Sequence, residues 1–429
     1  MIIDTQQQLQ DFLNDIAGKP IILVPLTEDE FAHPAINGII GYYVKLFGGG
    51  EYTILQSHPE AGLMVDVIPL LKDVSKIYCV NKQALTYNGI VPQMPVVDAY
   101  LQAYLHNGIV PEQTAFKSAE FYHRRLPLKT NILTDVMKLQ QRARQLTEGI
   151  EQITNLCEGF YEQGFQSVFH TIERNGLKVD VEKFKTTFPE YNLIGEYAYS
   201  KYNFYTATGR PSNRFGGVNF AALNKEDETR ASIISRYADG VLVELDFESY
   251  HPRILADLIG YSIDAKENIY EHLAKYYFDT PNPSKTQVKE SKELTFRQIY
   301  GGINNKYKSI EYFNRVENFT NLIWNYYLEH GVVQSKISKR DIRNIEDVNA
   351  TKLLNYLIQL HETEQNVVFL HALFEQLHQD IKPILYTYDS VLFDLPESLI
   401  PELENVLASV IPAEFPYRLK MGKNYKDLA

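Results

Sequence analysis

Val241–Leu245 reads as a short buried strand that ends in an acid, Asp246, with a helix close behind it in "VLVELDFESYHPRILADLIG" (241–260). Pro252 falls in the first turn of that helix, where its fixed φ and missing donor are tolerated. Ile254, Leu255, Leu258 and Ile259 then form an apolar stripe, while Arg253 and Asp257 point elsewhere. A strand and a helix that both face a core leave their junction little freedom. Asp246 is therefore expected at a fixed place, on the exposed end of a core strand. Alone, such an acid most often caps a helix or ends a strand.

Two further stretches change its weight. In "KTQVKESKELTFRQIYGG" (285–302), Lys292, Phe296 and Tyr300 recur every four residues and so share one helix face, which Gly301 and Gly302 bring to a stop. In "PILYTYDSVLFDLP" (383–396), two apolar runs flank Tyr388, Asp389 and Ser390, as in a hairpin with a carboxylate at its tip. Separately these are a snorkelling lysine with two core aromatics, and an ordinary turn aspartate. Together they are two carboxylates on rigid β edges beside a helix carrying a cation. That set suits phosphoryl displacement: paired acids hold divalent ions, magnesium takes one or two carboxylates plus substrate phosphates, and a lysine meets a triphosphate.

The remaining chain supplies the setting. "KPIILVPL", "IIGYYVKLF", "EYTILQ" and "KIYCVN" read as strands of a mixed sheet, and "VVDAYLQAYL" has helical spacing. Residues 134–174 read as helix, and "YAYSKYNFYTATGRPSNRFGG" as a loop of functional backbone. Further strands are expected at 241–246, 383–388 and 391–395, and helices at 251–260, 267–278, 285–301 and 351–379. A net charge of −12 excludes a general basic surface for nucleic acid, so any such contact is local. "KISKRDIR" (336–343) and "RLKMGKNYK" (418–426) are the two candidate patches. Two cysteines form no metal-ligand spacing, no apolar run has the length of a membrane span, and the N-terminus lacks a secretory pattern. The expectation is a cytoplasmic protein, of a bacterium or a virus-infected cell, with no membrane partner.

The order of these motifs resembles the family A DNA polymerases from Thr206 to Ala429. "TATGRPSN" resembles the family's TGRxSS segment, and "ELDFESYHPR" its first palm motif. "KELTFRQIYGG" matches KxxxFxxxYG at each fixed position, "NYLIQ" resembles the N-x-x-x-Q pair, and "TYDSVLFD" the second palm hairpin. The resemblance implies a mixed α+β chain with an antiparallel palm sheet, in a right-hand arrangement of palm and fingers at 206–429. Asp246 and Asp389 would be catalytic ligands of two Mg²⁺ ions, with the Phe247 carbonyl assisting, and Lys292 would meet the triphosphate. His251, Phe296, Tyr300 and Lys289 would line the nucleotide site; Arg210, Asn355, Gln359 and Gly301 would lie against primer-template DNA. Phe296 in place of tyrosine implies poor use of dideoxynucleotides.

The departures are specific. His251 stands where the family has a glutamate that excludes ribose, and Tyr388 and Ser390 flank Asp389 in place of histidine and glutamate. Val288 replaces an arginine, with Lys289 beside it, and Tyr270 aligns with a triphosphate-binding histidine. "FHTIERNGLKVD" (169–180) resembles the entry to the thumb, yet only the 25 residues 181–205 separate it from Thr206. Residues 146–205 are thus expected as a helical connector or vestigial thumb, with low processivity unless a partner protein supplies the grip. Residues 1–145 resemble a ribonuclease-H-like 3′–5′ exonuclease domain without its acids: Pro25, Thr27, Leu85, Lys129 and Leu133 occupy the key positions. Glu28, Asp29, Glu30 and Asp98 are the remaining acidic candidates for metal there.

The expected function is template-directed addition of dNTPs to a primer 3′-hydroxyl, without proofreading. One rival is an RNA-synthesising or ribonucleotide-tolerant polymerase, suggested by the Asp389-Ser390 pair. The other is a polymerase fold retired from chemistry that only binds nucleic acid.

Overall fold

Ile21, Ile22, Leu23 and Val24 follow one another with no polar residue between them, and a strand of that kind needs apolar cover on both faces. The computed structural model describes residues 1–27, 33–36, 38–89, 94–107, 136–148, 150, 160–215, 218–224 and 228–428. Glu28, Asp29, Glu30, Lys129, Leu133 and Cys157 lie outside the described residues. The chain forms two compact units: Met1–Gly176 with Asn192–Tyr205 and Asn213–Asn219, and Leu177–Tyr191 with Thr206–Ser212 and Phe220–Ala429.

The first unit contains α1 (Gln6–Ile16), β1 (Pro20–Thr27), β2 (Ile39–Leu46), β3 (Glu51–Leu55), β4 (Lys76–Cys79), α2 (Lys82–Tyr87) and β5 (Val96–Asp98). The helices α3 (Ala99–Asn107), α4 (Val136–Thr147) and α5 (Phe160–Asn175) follow. Its sheet runs β3-β2-β1-β4-β5, antiparallel through the first three strands and parallel across β1, β4 and β5. This is the mixed sheet expected from the sequence. Ile21 and Leu23 share one core with Leu9, Phe12 and Ile16 of α1. Ile22 and Val24 share the opposite core with Leu139 and Ala143 of α4. Thr5 and Gln8 close α1 with a reciprocal capping box. Pro25 is tolerated beside β4 because the parallel register ends at Leu23, so no bond on that side is lost.

Two readings are corrected here. "VVDAYLQAYL" is not helical throughout: the β-branched pair Val96–Val97 joins β4, and the helix begins at Ala99. The Asp98 carboxylate accepts from the N–H groups of Tyr100 (3.1 Å) and Leu101 (2.9 Å), a capping role. Among the described residues the span 134–174 is not one continuous helix: α4 stops at Thr147 and α5 runs over Phe160–Asn175.

The second unit contains α6 (Val181–Thr187), β6 (Gly240–Phe247), α7 (Tyr250–Leu258), α8 (Ile269–Tyr277), α9 (Lys285–Gly301), α10 (Glu311–His330) and α11 (Ala350–Phe374). It closes with β7 (Lys382–Tyr386), β8 (Ser390–Pro396), α12 (Ile400–Val410) and β9 (Tyr417–Gly422). Its sheet runs β7-β8-β6-β9 with every pair antiparallel, as expected. The helix expected at 351–379 ends at Phe374, five residues early. In the middle of α11 six consecutive polar residues, His361–Asn366, are buried. No helix among the described residues is long and apolar enough to cross a membrane.

Candidate active site

Strand register puts the two aspartates side by side. β6 lies between β8 and β9, and Asp246, near its end, faces Ser390 on one side and Arg418 on the other. The Phe247 N–H donates to the Asp389 carbonyl at 3.0 Å, which locks the hairpin tip to the end of β6. The tip is tight: Thr387 N–H donates to Ser390 O (2.9 Å), and Tyr388 takes a left-handed φ of 74°. The Asn366 amide donates to the Tyr388 carbonyl at 2.6 Å and to the Tyr386 hydroxyl at 3.1 Å, so α11 holds the turn from below. Asp389 is exposed at the tip. Desolvation by the dense surround nonetheless raises its pKa, and the negative charges of Glu362 and Asp246 add to the rise. Asp246 is half-buried and meets the Lys420 ammonium at 3.2 Å, which also reaches Glu244 at 3.3 Å.

The predicted helix row is present. Ser284 and Gln287 form a capping box at the start of α9, and Gly302, with φ 94°, ends it. Phe296 and Tyr300 stack with centroids 5.7 Å apart and planes 6° off parallel. Tyr270 of α8 joins them, 6.3 Å from Phe296, and the Lys292 ammonium lies 5.8 Å from the Tyr270 ring. The Tyr300 hydroxyl bonds His251 Nδ1. Burial, then the Glu362 carboxylate, raises the pKa of that hydroxyl, with Asp389 a smaller contributor.

Glu362 is the residue that sequence reasoning missed. It is fully buried, yet Arg210 Nε stands 2.9 Å from its Oε2 and His251 Nε2 3.0 Å from its Oε1. The Arg210 guanidinium in turn covers the Tyr388 ring at 3.9 Å. One carboxylate therefore connects the His251–Tyr300 pair to the hairpin that carries Asp389. The signal was available: Asn355, Gln359, Glu362 and Asn366 recur at intervals of four, three and four, one face of a single helix.

The loop "TATGRPSN" earns its glycine by close approach. Gly209 has φ 74°, and a Cβ there would lie 2.4 Å from Leu360 Cδ1 and 2.5 Å from an Arg340 guanidinium nitrogen. Arg340, itself buried, donates to the carbonyls of Thr206 (3.2 Å) and Ala207 (3.3 Å). Gly209→Ala is expected to destabilise the protein by about 2–4 kcal/mol, from left-handed strain plus overpacking. Urea unfolding measures it, and an unchanged midpoint would contradict this account of the loop.

The solved structure of the POL domain of Pol1 from M. smegmatis, in complex with DNA primer-template and dNTP, matches this chain with a TM-score of 0.70. The match covers 100% of both chains at 13% sequence identity. The chain has that polymerase-domain fold. No family model and no curated protein matches it. At 13% identity the likeness is one of fold, so the polymerase fold fixes where the residues stand and leaves their chemistry to be argued.

Within this polymerase fold the sequence-selected residues separate into two groups. Asp246, Phe247, His251, Phe296, Tyr300, Arg210, Lys292 and Asp389 fall in the linked set described above. Lys289 and Gly301 are exposed on α9, and Asn355 and Gln359 are half-buried on α11, tied to that set through their shared helices. The two basic patches carry ion pairs within the chain: Arg340 pins the loop, while the exposed Arg418 and Lys423 pair with Glu248 and Glu397, and Lys426 with Glu228. Among the described residues, no group of three or more His, Cys, Asp and Glu side chains is placed to hold a metal. Two carboxylates are placed together, and that number suits magnesium shared with substrate phosphates. A carboxyl whose pKa is raised by desolvation and by neighbouring carboxylates is also one that gains from a cation. The donor set fits.

Proposed function

We propose that the chain is a template-directed DNA polymerase that adds dNTPs to a primer 3′-hydroxyl. The observation that carries this reading is the antiparallel register that sets Asp246 beside Asp389, within electrostatic reach of the Tyr270–Phe296–Tyr300 row. Asp246 and Asp389 would hold divalent ions, Mg²⁺ by their hard oxygen donors, which supply charge stabilisation at the phosphoryl oxygens. Lys292, exposed on α9, brings a cation to the triphosphate. Phe296 and Tyr300 offer a continuous aromatic surface to the base and sugar, and His251 closes the sugar side. Arg210 braces Tyr388, and through it the turn at Asp389. Selection of sequence is left to base pairing. In this reading 206–429 is palm and fingers, 146–205 a connector or vestigial thumb, and 1–145 an exonuclease-like layer without proofreading. Processivity is low unless a partner supplies grip.

One observation favours the retired, non-catalytic rival: Lys420 neutralises Asp246. Primer extension with Mg²⁺ and dNTPs separates the two. Extension is expected at high enzyme concentration and low salt, where weak electrostatic grip is offset. Template-primer binding without extension would overturn the polymerase reading. In the same assay His251→Ala is expected to raise ribonucleotide incorporation about ten-fold or more relative to dNTP use, because the wall beside the sugar is removed.

A further inference from the structure

Glu362 sits at the centre of α11 with no exposure to solvent, a place where a carboxylate is costly unless it is paired and hydrogen-bonded. Its Oε1 takes both hydrogen bonds, and Oε2 faces only the arginine. Arg210 approaches both, with Nε 2.9 Å from Oε2 and a terminal nitrogen 3.2 Å from Oε1. His251 Nε2 is 3.0 Å from Oε1. The arginine alone would satisfy the charge; the histidine is the addition that calls for a reason.

The proton positions follow from the chain of contacts. The Glu362 carboxylate can only accept, so the imidazole proton lies on Nε2, directed at Glu362, and Nδ1 is left to accept from the Tyr300 hydroxyl. A ring held at both nitrogens has one orientation. Cut from Glu362, the same ring can swing about its side-chain torsions and away from Tyr300.

We infer that Glu362 is the positioning residue for sugar selectivity: it holds His251 Nε2 so that the ring stands fixed against Tyr300 and blocks a 2′-hydroxyl. The assignment rests on the polymerase reading. It acts through His251, so Glu362 itself touches neither nucleotide nor DNA.

The test is the ratio of kcat/KM for a dNTP to that for the matching rNTP, in primer extension by the full chain. Both values come from one preparation, so the folded fraction cancels. Glu362→Ala is expected to lower the ratio about ten-fold or more. Glu362→Gln keeps an acceptor oxygen for Nε2–H and is expected to restore most of it. Arg210→Ala removes the other partner and is expected to slow both sugars alike. The double variant His251→Ala with Glu362→Ala is expected to match His251→Ala alone, since Glu362 has nothing left to position. A Glu362→Ala ratio equal to wild type, where His251→Ala shifts it, overturns the assignment alone. So does a double variant that falls well below His251→Ala. A wild-type protein that extends no primer overturns the polymerase reading and the assignment with it.

Discussion

Asp389→Ala is expected to lower primer extension about 10³-fold, close to 4 kcal/mol of barrier, without loss of stability. The loss follows from the acid pair: with Asp389 gone, Asp246 alone remains to hold cations at the tip, and Lys420 already competes for it. The stability half follows from linkage. Desolvation and the charges of Glu362 and Asp246 raise the Asp389 pKa in the folded protein. An acid whose folded pKa stands above its unfolded value is penalised on folding once pH rises above the unfolded value. At neutral pH Asp389 therefore subtracts from stability, and its removal relieves a repulsion. The bond that locks the hairpin to β6 uses the Asp389 carbonyl, which alanine keeps. Thermal unfolding without divalent ions should show a midpoint equal to or above wild type. A variant that extends primers normally would remove Asp389 from the chemistry; a variant that unfolds early would make it a structural acid.

How much of this was legible in the sequence depended on whether a residue's role is local. The strand ending at Asp246, the tip at Asp389 and the Lys292–Phe296–Tyr300 row were readable, because strand alternation, turn chemistry and helical spacing act within a few residues. The sheets were readable for the same reason, Ile21–Val24 above all. Segments with competing local signals were misread: Val96 and Val97 look helical when grouped with the apolar residues after them, and are drawn into β5 by β4. The polar block His361–Asn366 was read as part of a helix and nothing more, since a run of polar residues ordinarily marks a solvated face. It is buried because its partners come from elsewhere in the chain: Arg210 and His251 for Glu362, Ser335 and Ser338 for Glu364, Tyr250 and Tyr388 for Asn366. Those pairings span 22 to 152 residues, beyond any window of periodicity. The partners of the basic runs were out of reach for the matching reason: a run of lysines and arginines does not reveal the carboxylates that will face it.

A second acid lies five residues beyond Asp389, and the opposite result is expected for it. Asp394→Ala should destabilise the second unit by about 3–5 kcal/mol while each folded molecule keeps near-normal turnover. Asp394 is fully buried in β8, where it accepts from Ser235 Oγ (2.6 Å), Arg236 Nε (2.7 Å) and the Arg236 backbone N–H (3.1 Å). Alanine removes the carboxylate that the Arg236 guanidinium, itself only 14% exposed, and two further donors are bonded to. Those bonds tie residues 235–236 to the sheet just before β6 begins at Gly240, and so help to fix where β6 starts. Asp394 faces Leu242, four residues from Asp246, or about 13 Å along the strand. Direct electrostatic effects on the acid pair are therefore small, provided the register holds. A slip of one residue would carry Asp246 to the other face of the sheet, so a variant that folds at all has the pair in place. Urea unfolding beside extension rates per folded molecule makes the comparison. Stability lost at Asp394 with turnover kept, against turnover lost at Asp389 with stability kept, would separate the acid that builds the hairpin from the acid the hairpin presents. Comparable loss of turnover per folded molecule in both variants would instead mean that the sheet yields around Asp394 and the acid pair moves with it.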